Sequence, residues 1–177
     1  LALDFNAIAQ GYSSDLVGEL FDSLGIRDYM VEIGGEILCR GESPRGGDWR
    51  IGIDRPVEGN MVPGEDLQTI LRLTDAGLVT SGNYRKFAFD ENGNKVTHTI
   101  DPQTLRPTVH NLLSATIIAP TSAIADGYAT ACMVLGLEES KKLLARHREL
   151  EGYLIYGRSD GSMGVYMTPN IEKRVAR

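Results

Sequence analysis

Tyr29-Met30-Val31-Glu32-Ile33-Gly34-Gly35-Glu36-Ile37-Leu38-Cys39-Arg40 decides the fold class. Two β-prone runs flank a Gly-Gly pair, and such a two-residue connection is a hairpin signal. Hairpins make antiparallel neighbours, whereas parallel strands need a crossover of helix length. The pattern recurs on the C-terminal side. Trp49–Asp54 alternates like a strand, and residues 55–66, with two Pro and two Gly, read as a surface loop. Residues 69–73, 78–81, 84–90 and 95–100 are further strands, the last two joined by the turn signal Asn92-Gly93-Asn94. Residues 113–119 form an apolar strand ended by Pro120, and 153–156 with 164–167 make a closing hairpin over Ser159-Asp160-Gly161. Leu16, Val17, Leu20, Phe21 and Leu24 fall at helical spacing, with Ser13 and Ser14 before them and Gly25 as the stop. Two more helices are expected over 121–135 and 137–148. Strands arrive as hairpins and helices lie between groups of strands, which is the ordering of an antiparallel α+β fold.

A chain of 177 residues suits one domain with its own core. The formal charge is −6, from 18 basic and 24 acidic residues, so the positive field that nucleic-acid binding needs is missing. The one basic cluster, Lys141 to Arg148, is interleaved with Glu139, Glu149 and Glu151 and reads as a solvated helix face. An acidic chain can still hold an anionic ligand if a cation intervenes. No apolar run approaches the ~20 residues of a membrane span. No leader-like segment opens the chain, but its first residue is Leu1, so that observation carries little weight. Cys39 and Cys132 sit in apolar contexts and read as buried thiols rather than a disulfide or a metal pair. No dinucleotide-binding glycine fingerprint, phosphate-cradling loop, paired Cys-x-x-Cys or nucleophile elbow is present.

Asp126 and Thr130 lie four residues apart in a helical stretch, which puts two oxygens on one face. The residues between and beside them, Ala125, Gly127, Ala129 and Ala131, are small enough to let an ion and a bulky ligand approach. A carboxylate and a hydroxyl are hard-cation donors, and Mg2+ commonly takes one or two protein carboxylates plus phosphate oxygens. The alternative is that Thr130 bonds back to the Asp126 carbonyl and Asp126 merely lies near a helix N-terminus. His98 is expected at a strand end just before Asp101-Pro102, where it can serve as a general base or be an ordinary packed residue. His110 and His147 read as surface residues. Gly34-Gly35, flanked by Glu32 and Glu36, and Thr80-Ser81-Gly82-Asn83-Tyr84 can bring backbone close to a phosphate or a ring, or be plain turns.

Six segments in order carry a resemblance. They are Leu3-Asp4-Phe5-Asn6-Ala7-Ile8-Ala9-Gln10-Gly11-Tyr12, Glu32-Ile33-Gly34-Gly35-Glu36, Trp49-Arg50-Ile51-Gly52-Ile53, Thr80-Ser81-Gly82-Asn83-Tyr84, His98-Thr99-Ile100-Asp101-Pro102 and Ala125-Asp126-Gly127-Tyr128-Ala129-Thr130-Ala131. Together they resemble the ApbE-type FAD:protein FMN transferases, long labelled thiamine biosynthesis lipoproteins. The resemblance implies an α+β fold of the T-fold kind, with antiparallel sheets packed against helices. It implies FAD as substrate, Mg2+ as cofactor, and as acceptor a threonine hydroxyl on a partner protein, a subunit of a membrane redox complex. It also implies an exported, membrane-anchored lipoprotein, of which residues 1–177 would be the C-terminal portion, with part of the flavin pocket lying N-terminal to it. By position, Asp126 and Thr130 match the side-chain Mg2+ ligands and Ala7 a backbone carbonyl ligand. Asp4, Gln10 and Ile100 match FAD contacts, and His98 matches a histidine placed near the transferring phosphate.

Two positions depart from the family pattern. Gln10 stands where Lys or Glu is common, so a charge is absent from that contact. Leu105 stands where the family usually has Gly in Asp-Pro-x-Thr-Gly-x-Pro, which brings the turn after Pro102 into question. These departures keep open the alternative of an FAD-binding lipoprotein without transferase activity.

Overall fold

A computed structural model describes residues 3–57, 59–60, 62–83, 87–89, 95–97 and 99–176. The chain order is α1 (Ala9–Ser23), β1 (Tyr29–Ile33), β2 (Glu36–Arg40), β3 (Trp49–Asp54), β4 (Leu67–Leu73), β5 (Ala76–Gly82), β6 (Phe87–Phe89), β7 (Lys95–Thr97), β8 (Ile100–Asp101), β9 (Arg106–Pro107), β10 (Leu112–Ala119), α2 (Ser122–Arg146), β11 (Glu151–Gly157), β12 (Met163–Met167) and α3 (Ile171–Arg174). Six strands form one sheet in the order β1-β2-β5-β10-β11-β12, with every neighbouring pair antiparallel. The deciding hairpin forms with Ile33 opposite Glu36. Gly34 and Gly35 both have positive φ, 67° and 102°, as a type I′ turn demands of its two central residues.

Three layers result. Ala115, Ile117 and Ala119 of β10 pack on one face against Ala125, Ala129, Cys132 and Met133 of α2. On the other face Ile118, Tyr153 and Ile155 meet Ile51 and Ile53 of β3 and Leu71 and Leu73 of β4. Every residue of β10 except Leu113 is buried, because β10 is central and covered on both faces. Both thiols are fully buried and unpaired, and burial pushes the Cys39 thiol up to about 12. Among the described residues no helix is long and apolar enough to cross a membrane. The hairpin expected over 84–100 pairs β6 with β7 antiparallel, although its turn, Asn92-Gly93-Asn94, lies outside the described residues.

Three expectations are corrected. Helix α1 starts at Ala9, so Ser13 and Ser14 lie inside it; Ser13 Oγ donates to the Ala9 carbonyl at 2.8 Å, and Ser14 Oγ to the Glu36 carbonyl at 2.9 Å. Its buried face is Gly11, Ser14 and Gly18, while Leu16, Leu20 and Leu24 are exposed and Val17 and Phe21 pack on Tyr29 and Leu38. The two C-terminal helices are one, α2, kinked at Gly136 where φ is 74°. The kink interrupts the helical ladder, and Ser140 Oγ takes the Cys132 carbonyl at 3.2 Å while His110 Nε2 donates to the Met133 carbonyl at 2.7 Å. His110 Nδ1 in turn accepts the Leu112 N–H at 3.2 Å. His110 is therefore a half-buried brace at the kink rather than the surface residue expected.

Leu105 keeps the left-handed conformation that suits glycine, with φ at 57° and its N–H on the Asp101 carbonyl at 2.8 Å. The turn persists despite the departure from Gly. A side chain in that region costs about 1–2 kcal/mol, and Leu105, 78% exposed, recovers little by burial. Leu105→Gly is thus expected to stabilise by about 0.5–1 kcal/mol after the extra chain entropy of glycine is subtracted. A fall in denaturant midpoint would contradict the assigned strain.

Candidate functional site

Helices α1 and α2 each cap the other. The first N–H groups of a helix have no intrahelical carbonyl to reach. For α1, Asp126 Oδ2 of α2 accepts the Gly11 N–H at 3.1 Å. For α2, Asp15 of α1 accepts the N–H groups of Ser122 and Ala123, each at 2.8 Å, and Thr121 Oγ1 accepts that of Ile124 at 3.3 Å. Small residues allow this approach. A Cβ on Gly11 would lie 2.5 Å from the Ser122 carbonyl oxygen, and one on Gly77 of β5 would lie 2.4 Å from the Ser122 nitrogen.

Asp126 is 5% exposed. Burial raises its pKa above the ordinary carboxylate value, and the Gly11 hydrogen bond offsets part of that rise. Thr130 lies one turn further along, half-buried, with its hydroxyl 3.5 Å from Ser81 Oγ at the end of β5. No bond from Thr130 to the Asp126 carbonyl is present among the described residues. Ala7 belongs to the exposed turn leading into α1. The next residue, Ile8, packs so close to α2 that a Cβ on Gly127 would sit 3.2 Å from its Cγ2. An α-helical ladder would send the Gly11 N–H to the Ala7 carbonyl; here it goes to Asp126, and no hydrogen bond among the described residues uses that carbonyl.

The other expected contacts lie on exposed segments. Asp4 is exposed and turns back on Asn6, accepting its N–H at 2.8 Å. Gln10 is exposed and lies over the β1–β2 turn, where a Cβ on Gly34 would meet its Nε2 at 2.0 Å. Gly34-Gly35 is thus both a hairpin turn and the floor beneath Gln10. Ile100, 48% exposed, stands further out on the β8–β9 hairpin. That hairpin is tied back by Thr99 Oγ1, which donates to Asn83 Oδ1 at 3.0 Å, and by the Asn83 N–H on the Leu113 carbonyl at 3.2 Å. Asp126, Thr130, Ala7 and Gln10 are therefore brought to one end of the α1–α2 contact, with Ser81 beside them. His98 lies outside the described residues.

The donor chemistry fits a hard divalent cation. It offers oxygens only: a shielded carboxylate with one oxygen committed to Gly11, a hydroxyl and a backbone carbonyl. Among the described residues no cluster of three or more His, Cys, Asp or Glu forms. One carboxylate with room for ligand oxygens is the arrangement Mg2+ accepts, since it keeps much of its shell for water and phosphate. Sequence reasoning missed Asp15, because its two partners lie 107 and 108 residues away.

Comparison with known proteins identifies the family and the fold. The sequence model of the ApbE family matches residues 1–154. The FAD:protein FMN transferase of Salmonella typhimurium is 35% identical over 172 residues, 97% of this chain and 47% of that protein. The crystal structure of the Pseudomonas stutzeri flavinyl transferase ApbE, in apo form, superposes with a TM-score of 0.82 at 37% identity, covering 98% of this chain and 51% of that one. The flavin transferase ApbE from Vibrio cholerae gives 0.83 at 33% identity, covering 98% and 53%. The chain thus spans about half the length of the relatives it matches. The α+β fold expected from the hairpin pattern is the fold of these transferases. The chain belongs to the ApbE family.

Proposed function

We propose that this chain is the C-terminal portion of a Mg2+-dependent transferase that moves FMN from FAD onto a threonine hydroxyl of an acceptor protein. The observation that carries the reading is the buried Asp126 carboxylate, held by Gly11 beside Thr130 and the Ala7 turn. In this reading Asp126, Thr130 and the Ala7 carbonyl hold the cation. When bound, the cation supplies charge neutralisation for pyrophosphate oxygens, the main requirement of phosphoryl-type transfer. Asp4, Gln10 and Ile100 orient the flavin nucleotide. The threonine oxygen forms a bond to the FMN phosphorus, the bond from that phosphorus to the bridging oxygen breaks, and AMP leaves. His98 accepts the proton that the threonine hydroxyl loses, a role worth about 10²–10⁴-fold in rate. The acceptor in this proposal is a subunit of a membrane redox complex, and the enzyme is an exported, membrane-anchored lipoprotein. Names of the family's transferases and the oxygen-only donor set support the reading.

The test is incubation of the full-length protein with FAD, Mg2+ and a threonine-containing acceptor peptide, read by mass. The expected result is a covalent FMN adduct on the peptide that chelation of the metal prevents and that His98→Ala slows by at least about a hundredfold while FAD affinity is kept. Flavin binding with no adduct on any acceptor would overturn the transferase reading.

A further inference from the structure

Arg50 of β3 and Arg72 of β4 are register partners. Their neighbours Ile51 and Leu71 fill the core, so strand alternation sends both arginines to the outer face, where both are exposed. Like charges directly opposite each other on a sheet are unfavourable. In a chain of net charge −6 such a pair is not the by-product of a generally basic surface. A third cation joins them from the C-terminal segment. Val175 bridges Leu71, and the Ala176 N–H donates to the Ile70 carbonyl at 2.8 Å, which lays the end of α3 along β4. Arg72 Nη2 donates to the Lys173 carbonyl at 2.8 Å, so one arm of the guanidinium is fixed and the remaining N–H groups are left for another acceptor.

Arg50, Arg72 and Lys173 line one cleft of about 360 Å³, together with Val175 and Ala176 and a single acid, Glu172. None of the ion pairs among the described residues involves any of the three cations. The adjoining cleft, which Arg72 and Lys173 also line, holds two further acids: Glu151, which closes on Arg174 through bonds of 2.7 and 2.8 Å, and Asp48. We propose that this cleft binds a phosphate-class oxyanion. Paired guanidinium forks offer several N–H donors in the geometry a tetrahedral oxyanion accepts, and an ammonium completes the charge. The site is separate from the one containing Asp126. It lies on the β3–β4 side of the six-stranded sheet, whereas α2 covers the opposite face. Lys173 also lies beyond residue 154, where the family match ends.

A free phosphate and the headgroup of an anionic phospholipid present the same chemistry, so the test has two arms. In metal-free, low-salt buffer, the intact chain is titrated with inorganic phosphate by calorimetry. In parallel it is co-sedimented with phosphatidylcholine vesicles with and without phosphatidylglycerol. Saturable binding is expected in at least one arm. Arg50→Gln combined with Lys173→Gln should weaken it by at least about tenfold, since each removes a charge-assisted contact. The melting temperature should not change, because both side chains are exposed and the Lys173 carbonyl that holds Arg72 is retained. Asp126→Asn should leave this binding untouched, which keeps the result independent of the flavin reading. Binding of phosphatidylglycerol vesicles alone would assign the lipid headgroup, and binding of phosphate without vesicles would assign the free ion. Absence of saturable binding in both arms, or binding that the double variant retains in full, would overturn the proposal.

Discussion

Asp126→Asn is expected to abolish metal-dependent FMN transfer while leaving the fold intact. Asparagine keeps an oxygen that can accept the Gly11 N–H, so the link between α1 and α2 survives. What disappears is the negative charge, the one carboxylate among the proposed ligands. Stabilising transition-state charge through a cation contributes several kcal/mol, so the loss should be on the order of 10²–10³-fold or more in transfer rate.

The same substitution has a second signature that needs no acceptor. Burial raises the Asp126 pKa in the folded state. A carboxyl with a raised folded pKa binds its proton more tightly when folded. Its contribution is fully present below the unfolded pKa and is lost as pH rises through the folded pKa. Above that folded pKa the metal-free protein carries a desolvated charge that Asn does not. Without divalent cation, Asp126→Asn should flatten the decline in stability that the parent shows as pH rises through the folded pKa of Asp126, and above that pH it should melt at or above the parent temperature. Mg2+ at about 100 times its Kd should stabilise the parent by about 2.7 kcal/mol, a rise of roughly 5–10 °C in a domain of this size. The variant should show no rise. A variant that still gains stability from Mg2+, at the same concentrations, would remove Asp126 from the ligand set.

What the sequence made legible depended on the range over which each feature is determined. The Gly34-Gly35 hairpin was readable because a type I′ turn is specified by its own two residues. Strand β10 was readable because burial on both faces leaves a mostly apolar run, broken only by the small Ser114 and Thr116. The start of α1 was not. Its N-cap is Ile8, which makes no side-chain cap, and the helix is instead opened by a carboxylate 115 residues away from Gly11. Local rules therefore placed the start at the serines. The buried face of α1 was only partly visible in the helical spacing, which includes the inward-packing Val17 and Phe21 but not the small Gly11, Ser14 and Gly18. Helical spacing picks out large apolar residues, but the close contacts with Ser122 and Leu38 require Gly11 and Gly18. The pairing of Asp126 with Thr130 was visible as an i, i+4 pattern. That Asp126 also caps α1 follows only from the fold, as does the role of Asp15.

Gly11→Ala tests whether that packing creates the site. In an isolated helix, Gly→Ala is stabilising by about 1 kcal/mol, so propensity alone predicts a higher melting temperature. Here the opposite is expected. The new Cβ would lie 2.5 Å from the Ser122 carbonyl oxygen, 2.7 Å from its carbon and 2.9 Å from the Ala123 nitrogen. These are backbone atoms at the start of α2, and they cannot rotate away as a flexible side chain would. Relief requires α1 to move off α2, which stretches the Gly11–Asp126 bond and both Asp15 bonds at once. Overpacking costs about 1–3 kcal/mol and weakening a cap adds about 1 kcal/mol, so once the propensity gain of about 1 kcal/mol is set against them a net loss of about 2 kcal/mol is expected. For a domain of this size that is a fall of roughly 4–8 °C in melting temperature. The same displacement carries the Ala7 turn away from Asp126, since Ala7 lies only four residues before Gly11. The stabilisation by Mg2+ should therefore shrink along with the stability. Serine at position 11 should behave like alanine, because the obstacle is the Cβ itself. An unchanged or higher melting temperature for Gly11→Ala would show that α1 and α2 do not approach as described, and the site built on their contact would fall with it.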